Sequence, residues 1–196
     1  MKLQTKAIYN LLRYAGEQPT DVEPWGLENL REPSLEELFQ KLSRLGISLD
    51  KHSFGSFAEE CDTPEELAEL LLEDEADLKR QDEAYLLLFE IWRRLLPERQ
   101  SLSIFCDELD HRIFLYDSGA LGSDEPIQDI LANLQEVLEE NLDKGESAGA
   151  IFKAIWEYCA HDLEGFLYDY IATLLDGGDV GYAAELLEGF SPFLHK

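Results

Sequence analysis

Basic residues are scarce in this chain, and scarcest in its second half. Residues 101–196 carry only Arg112, Lys144, Lys153 and Lys196 against 20 Asp and Glu. The whole chain of 196 residues holds 16 basic and 42 acidic side chains, a formal net charge of −26. A field of that sign repels phosphate backbones and anionic lipid, so neither nucleic acid nor a membrane surface is expected as a direct partner. It attracts a basic protein and speeds the encounter with it, although the same charge also serves solubility.

Long apolar runs are also missing. None approaches the roughly 20 residues that a membrane-spanning helix requires. The opening stretch MKLQTKAIYNLLRYAG is interrupted by Gln4, Thr5, Lys6 and Asn10, and reads as an amphipathic helix rather than a signal peptide. Cysteine is sparse: Cys61, Cys106 and Cys159 are odd in number and far apart. They form no disulfide framework and no zinc-type pairing, and a reducing cytoplasm is the expected compartment. Strand signals are absent, with no alternating run and no Asn-Gly hairpin turn. The phosphate-binding spacings Gly-x-x-x-x-Gly-Lys-Ser/Thr and Gly-x-Gly-x-x-Gly do not occur, and no cofactor is called for. Asp176-Gly-Gly-Asp-Val-Gly181 begins like a calcium loop but has Gly178, Val180 and Leu187 where ligands belong. It reads as a turn, with Asp179 capping the helix that follows.

What remains is helical. Leu3, Ala7, Ile8, Leu11 and Leu12 recur at helical spacing before Gly16. A Pro-rich segment follows, with Pro19, Pro24, Pro33 and Trp25. Ser34-Leu-Glu-Glu37 has the form of a capping box, ahead of an apolar face at Leu35, Leu38, Phe39, Leu42 and Leu45. A short turn capped at Ser56 is expected next. Thr63-Pro-Glu-Glu66 then starts a helix with an N-cap and Pro at the first turn. The pattern continues, with a break near Glu73–Asp77, into Tyr85–Leu96, apolar nearly all round and so a buried central helix. The second half reads as helices over 102–117, 126–143, 148–159, 161–175 and 180–190. The expectation is an all-α fold, either a multi-helix bundle or a short array of antiparallel helical hairpins. It forms one domain over 1–196, with an N-terminal subregion at 1–62 and a main region at 63–196.

Two periodicities stand out. DHRIFLYD at Asp110–Asp117 and DLEGFLYD at Asp162–Asp169 share Asp-x-x-x-Phe-Leu-Tyr-Asp, 52 positions apart. On helices, each copy stacks two Asp seven residues apart on a polar stripe, opposite a Leu/aromatic stripe. Gly145-Glu-Ser-Ala-Gly-Ala150 and Gly178-Asp-Val-Gly-Tyr-Ala183 put Gly in a turn and Ala five residues on, 33 positions apart. Over about Asp143–Phe190 this resembles the inter-helix turn of tetratricopeptide-type repeats, whose period is about 34 residues. The resemblance implies stacked hairpins with a peptide-binding groove. The aromatic and Gly positions of such a repeat's first helix are not matched, and no third copy follows.

Candidate chemistry clusters around Cys106-Asp-Glu-Leu-Asp-His111. Glu108-x-x-His111 has the spacing of a di-iron ligand pair, without the second Glu-x-x-His that such a site needs. His161-Asp162 is the dipeptide of the HD-type phosphohydrolases, all-α metal enzymes. That resemblance implies a further upstream His, for which His111 stands, and a downstream Asp, for which Asp176 stands at a spacing far shorter than that family's; with Glu108 from the first spacing, the alternative metal set is Glu108, His111, His161 and Asp162. The leading expectation is a non-catalytic protein-interaction module that meets a basic partner through Asp107, Asp110, Asp117, Asp162 and Asp169. The HD-like hydrolase and a structural assembly subunit are the alternatives.

Overall fold

The computed structural model describes residues 29–72, 77–122 and 126–194. The helix expected over residues 3–12, Gly16, Pro19, Pro24 and Trp25 lie outside them. The described residues form nine helices and no strand, an all-α fold. The helices are α1 Leu35–Arg44, α2 Lys51–Ala58, α3 Pro64–Leu71, α4 Leu78–Leu95, α5 Leu102–Asp117, α6 Ile127–Asp143, α7 Ala148–Trp156, α8 Leu163–Asp176 and α9 Val180–Phe190. None is long and apolar enough to cross a membrane. Two compact units divide between Phe105 and Cys106, inside α5. In the first unit α3 packs on α4.

In the first unit α4 is the axis. Ala84 through Trp92 are all buried, as the apolar run from Tyr85 implies. Leu38 and Leu42 of α1, Phe54 of α2 and Leu67 of α3 join its core. Each such side chain contributes about 1.5–3 kcal/mol by leaving water. Glu90 is fully buried on α4, and two guanidinium groups hold it: Arg93 Nε at 3.0 Å and Arg94 Nε at 2.6 Å. Arg94 also donates to the carbonyls of Leu30, Arg31 and Pro33, pinning the segment ahead of α1. Arg99 donates to the carbonyls of Ala58 (2.6 Å) and Cys61 (2.8 Å) and lies over the Trp92 ring at 5.2 Å.

Caps explain where the helices begin. Ser34 and Glu37 form the expected box, and the Thr63 hydroxyl accepts from the Glu66 N–H. The turn expected at Ser56 is instead the interior of α2. That helix begins at Asp50, whose carboxylate accepts from Ser53 N–H while the Ser53 hydroxyl bonds back to Asp50 N–H. The reciprocal bonds hold the Asp50 carboxyl below its usual range, first through the Ser53 backbone. Four helices end alike. Gly46, Gly119, Gly145 and Gly178 all have positive φ. The next N–H reaches back to Leu42, Leu115, Asn141 and Leu174 respectively, closing the orphan carbonyls.

In the second unit α6 packs on α7 and α8 on α9, each pair joined by one of those glycine turns. Leu131, Leu134 and Leu138 are buried on α6, as are Ile151, Phe152 and Ile155 on α7; Leu167 and Ile171 are buried on α8, as are Ala183, Leu186 and Phe190 on α9. The second half of α5 completes this unit.

Candidate functional site

The site grows from the way α5 holds the loop between α7 and α8. Asp110, on the third turn of α5, is 1% exposed. Its carboxylate accepts the N–H of Ala160 (2.8 Å) and of His161 (2.9 Å), and Oδ1 lies 2.7 Å from His161 Nδ1. One side chain thus satisfies two backbone donors of a loop 50 residues away and orients an imidazole. Three hydrogen bonds offset the lost hydration, the condition on which a carboxylate can be buried. Nearby, Cys106 Sγ donates to the Ile155 carbonyl at 3.8 Å. The neighbouring Cys106 thiol first, and then burial, push the Cys159 thiol well above its ordinary range.

The anchored loop delivers Asp162 as N-cap of α8, its Oδ1 accepting from Gly165 N–H at 3.0 Å. A Cβ at Gly165 would lie 2.7 Å from Asp162 Oδ2, so a larger residue there would push on the capping carboxylate. From this start α8 presents Phe166, Asp169, Tyr170 and Thr173 toward Ile113, Tyr116 and Asp117 of α5. Between them lies an open cleft of about 360 Å³, which His161 and Asp162 also line. Its wall is aromatic. Tyr116 stands edge-on to Phe166 (5.8 Å, 86°) and Tyr170 (5.3 Å, 86°), while Phe166 and Tyr170 are parallel within 8°. Its rim is acidic. Asp117, Asp162 and Asp169 are exposed, and Asp117 and Asp169 have no hydrogen-bonding or ionic side-chain partner among the described residues.

The doubled sequence therefore supplies two walls of one cleft, and its copies are not equivalent. Phe114 is 57% exposed where Phe166 is buried. Tyr116 enters the cleft where Tyr168 faces solvent. Asp110 is a buried anchor where Asp162 is an exposed cap. Two of the five expected contact residues are thereby corrected. Asp107 (2% exposed) and Asp110 lie inside, because α5 is enclosed on nearly every side from Ser101 through Asp110 and has no wet stripe there.

The alternative metal set is not assembled. Glu108 is engaged by Arg112 Nε at 2.8 Å, His161 Nδ1 by Asp110, and Asp162 by its helix cap. Among the described residues no three His, Cys, Asp or Glu side chains are gathered to hold a metal ion. Gly145-Glu-Ser-Ala-Gly149 has the Gly-x-Ser-x-Gly spacing of hydrolase nucleophiles. Ser147 follows a helix rather than a strand. Its hydroxyl caps α7 by accepting from Ala150 N–H at 3.4 Å, and no base meets it among the described residues.

Of the five expected contact residues, Asp117, Asp162 and Asp169 line the cleft; the sequence reading grouped His161 with Asp162 only as metal ligands and did not place Tyr116 or Gly165 beside them. The usable signal was the aromatic at each copy's center, since Tyr and Phe beside Asp make a wall only when two helices meet. Comparison with models of protein families, with curated proteins and with solved structures finds no match for this chain.

Proposed function

We propose that this protein is a non-catalytic, cytoplasmic interaction module whose second unit binds a basic segment of another protein in the cleft between α5 and α8. The observation that supports this best is the rim itself. Asp117, Asp162 and Asp169 converge from two helices around one concave aromatic surface, in a half of the chain with four basic residues. Asp117 and Asp169, carboxylates with no side-chain partner among the described residues, have not spent their electrostatic energy within the fold. Beside low-dielectric walls they attract a cation more strongly than scattered surface acids do.

The test must separate a site from diffuse charge. A fluorescein-labelled peptide rich in Arg and Lys is titrated against wild type, against D117K/D169K and against E136K/D143K. The two variants change net charge equally, and the second lies on α6 outside the cleft. The expected result is a loss of roughly tenfold or more for the cleft variant and little change for the control. Equal losses in both would mean there is no site, only a charged surface.

A further inference from the structure

The reading just given leaves open which cation the cleft takes, and we infer that it is built for arginine rather than lysine. This rests on the cleft being the binding site.

Three rings line the cleft among its polar groups, Tyr116 half-buried and Phe166 and Tyr170 nearly buried. Phe166 and Tyr170 lie parallel, four residues apart on α8, and Tyr116 closes on both at right angles. A guanidinium group is flat and weakly hydrated on its faces, so it can lie against such a wall while its in-plane N–H groups reach outward. An ammonium group is a compact, strongly hydrated charge, and hydrocarbon edges cannot replace its water. The rim suits the same geometry. Asp162 and Asp169 are seven residues apart, about 10 Å along α8. Asp117 stands opposite on α5. A forked donor entering along the aromatic floor can turn toward Asp117 or Asp169, whose carboxylates accept side by side as guanidinium requires.

An independent feature is an open acceptor. Tyr170 lines the cleft with its ring nearly buried, and its hydroxyl has no hydrogen-bond partner among the described residues. Solvent reaches that hydroxyl, so it is free to accept from a donor that enters the cleft. An N–H from a bound guanidinium would supply the partner.

The experiment compares four versions of one peptide that differ at a single position: Arg, Lys, trimethyl-Lys and Gln. Affinities are measured for wild type and Y170F, a change that keeps the ring. The inference expects Arg to bind about tenfold tighter than Lys, Gln to bind weakest, and Y170F to narrow the gap between Arg and Lys. Equal affinities for Arg and Lys would overturn the inference and leave the basic-partner reading intact. Tightest binding by trimethyl-Lys would overturn it in favour of an aromatic cage. Failure of all four to bind more tightly than to D117K/D169K would overturn both.

Discussion

At the scale of single residues, Asp110 concentrates the largest consequence. Truncating it to Ala strands the N–H groups of Ala160 and His161 and the His161 ring at once. Each stranded donor costs about 1–3 kcal/mol, and urea denaturation of D110A should show a fall of about 3 kcal/mol or more. D110N keeps one acceptor and should lose less. A loss below about 1 kcal/mol for D110A would mean that the loop is held by something else. Tyr170 makes a prediction in pH. Burial first, and then Tyr182, Tyr116 and Asp179, push its phenol from 10.0 up to about 12. The unfolded chain therefore gives up this proton first. The stability present below pH 10.0 is lost progressively as pH rises toward about 12. Y170F should flatten that part of an alkaline stability profile, and an unchanged slope would contradict the assignment. Asp110 was invisible as an anchor in the sequence. Its helical position predicts a face, but whether that face meets water depends on a loop 50 residues later.

At the scale of elements, what was legible is what is local. Ser34 with Glu37, Thr63 with Pro64, and Asp179 lie within four residues of the groups they cap, and each sits where the pattern put it. The start of α2 was missed because its box closes with Ser53 rather than Glu or Gln, so no familiar pattern marks Asp50. The helices of the second half were readable to within three residues at their ends, helped by glycine turns. Their pairing into one cleft was not, since it follows from Tyr116 meeting Phe166 and Tyr170 across the unit. Long arginines add another tertiary layer that no local pattern announces. Arg99 closes the end of α2 and its following turn through two carbonyls and covers Trp92. R99M keeps apolar bulk but leaves those carbonyls without this donor, and should cost about 1–3 kcal/mol in denaturant unfolding. T63A, which removes only one cap bond, should cost about 1 kcal/mol. If R99M cost no more than T63A, the guanidinium would be a surface ornament rather than a brace.

At the scale of the whole molecule, charge dominates. With 42 acidic and 16 basic side chains, mutual repulsion opposes the compact state. Added salt screens it, so the thermal midpoint should rise between low salt and about 0.5 M sodium chloride, where the screening length is only a few ångströms. A midpoint that falls with salt would mean that ion pairs outweigh repulsion. The same excess charge makes weak binding of any polycation unsurprising, which is why location matters more than affinity for the central claim. The most direct measurement is amide chemical-shift mapping in nuclear magnetic resonance as an Arg-bearing peptide is added at physiological salt. Binding in the cleft predicts saturable shifts concentrated at Tyr116, Asp117, His161, Asp162, Gly165, Asp169 and Thr173, with α6 little affected. Small shifts spread evenly over acidic residues of both units, or none at the cleft, would contradict it.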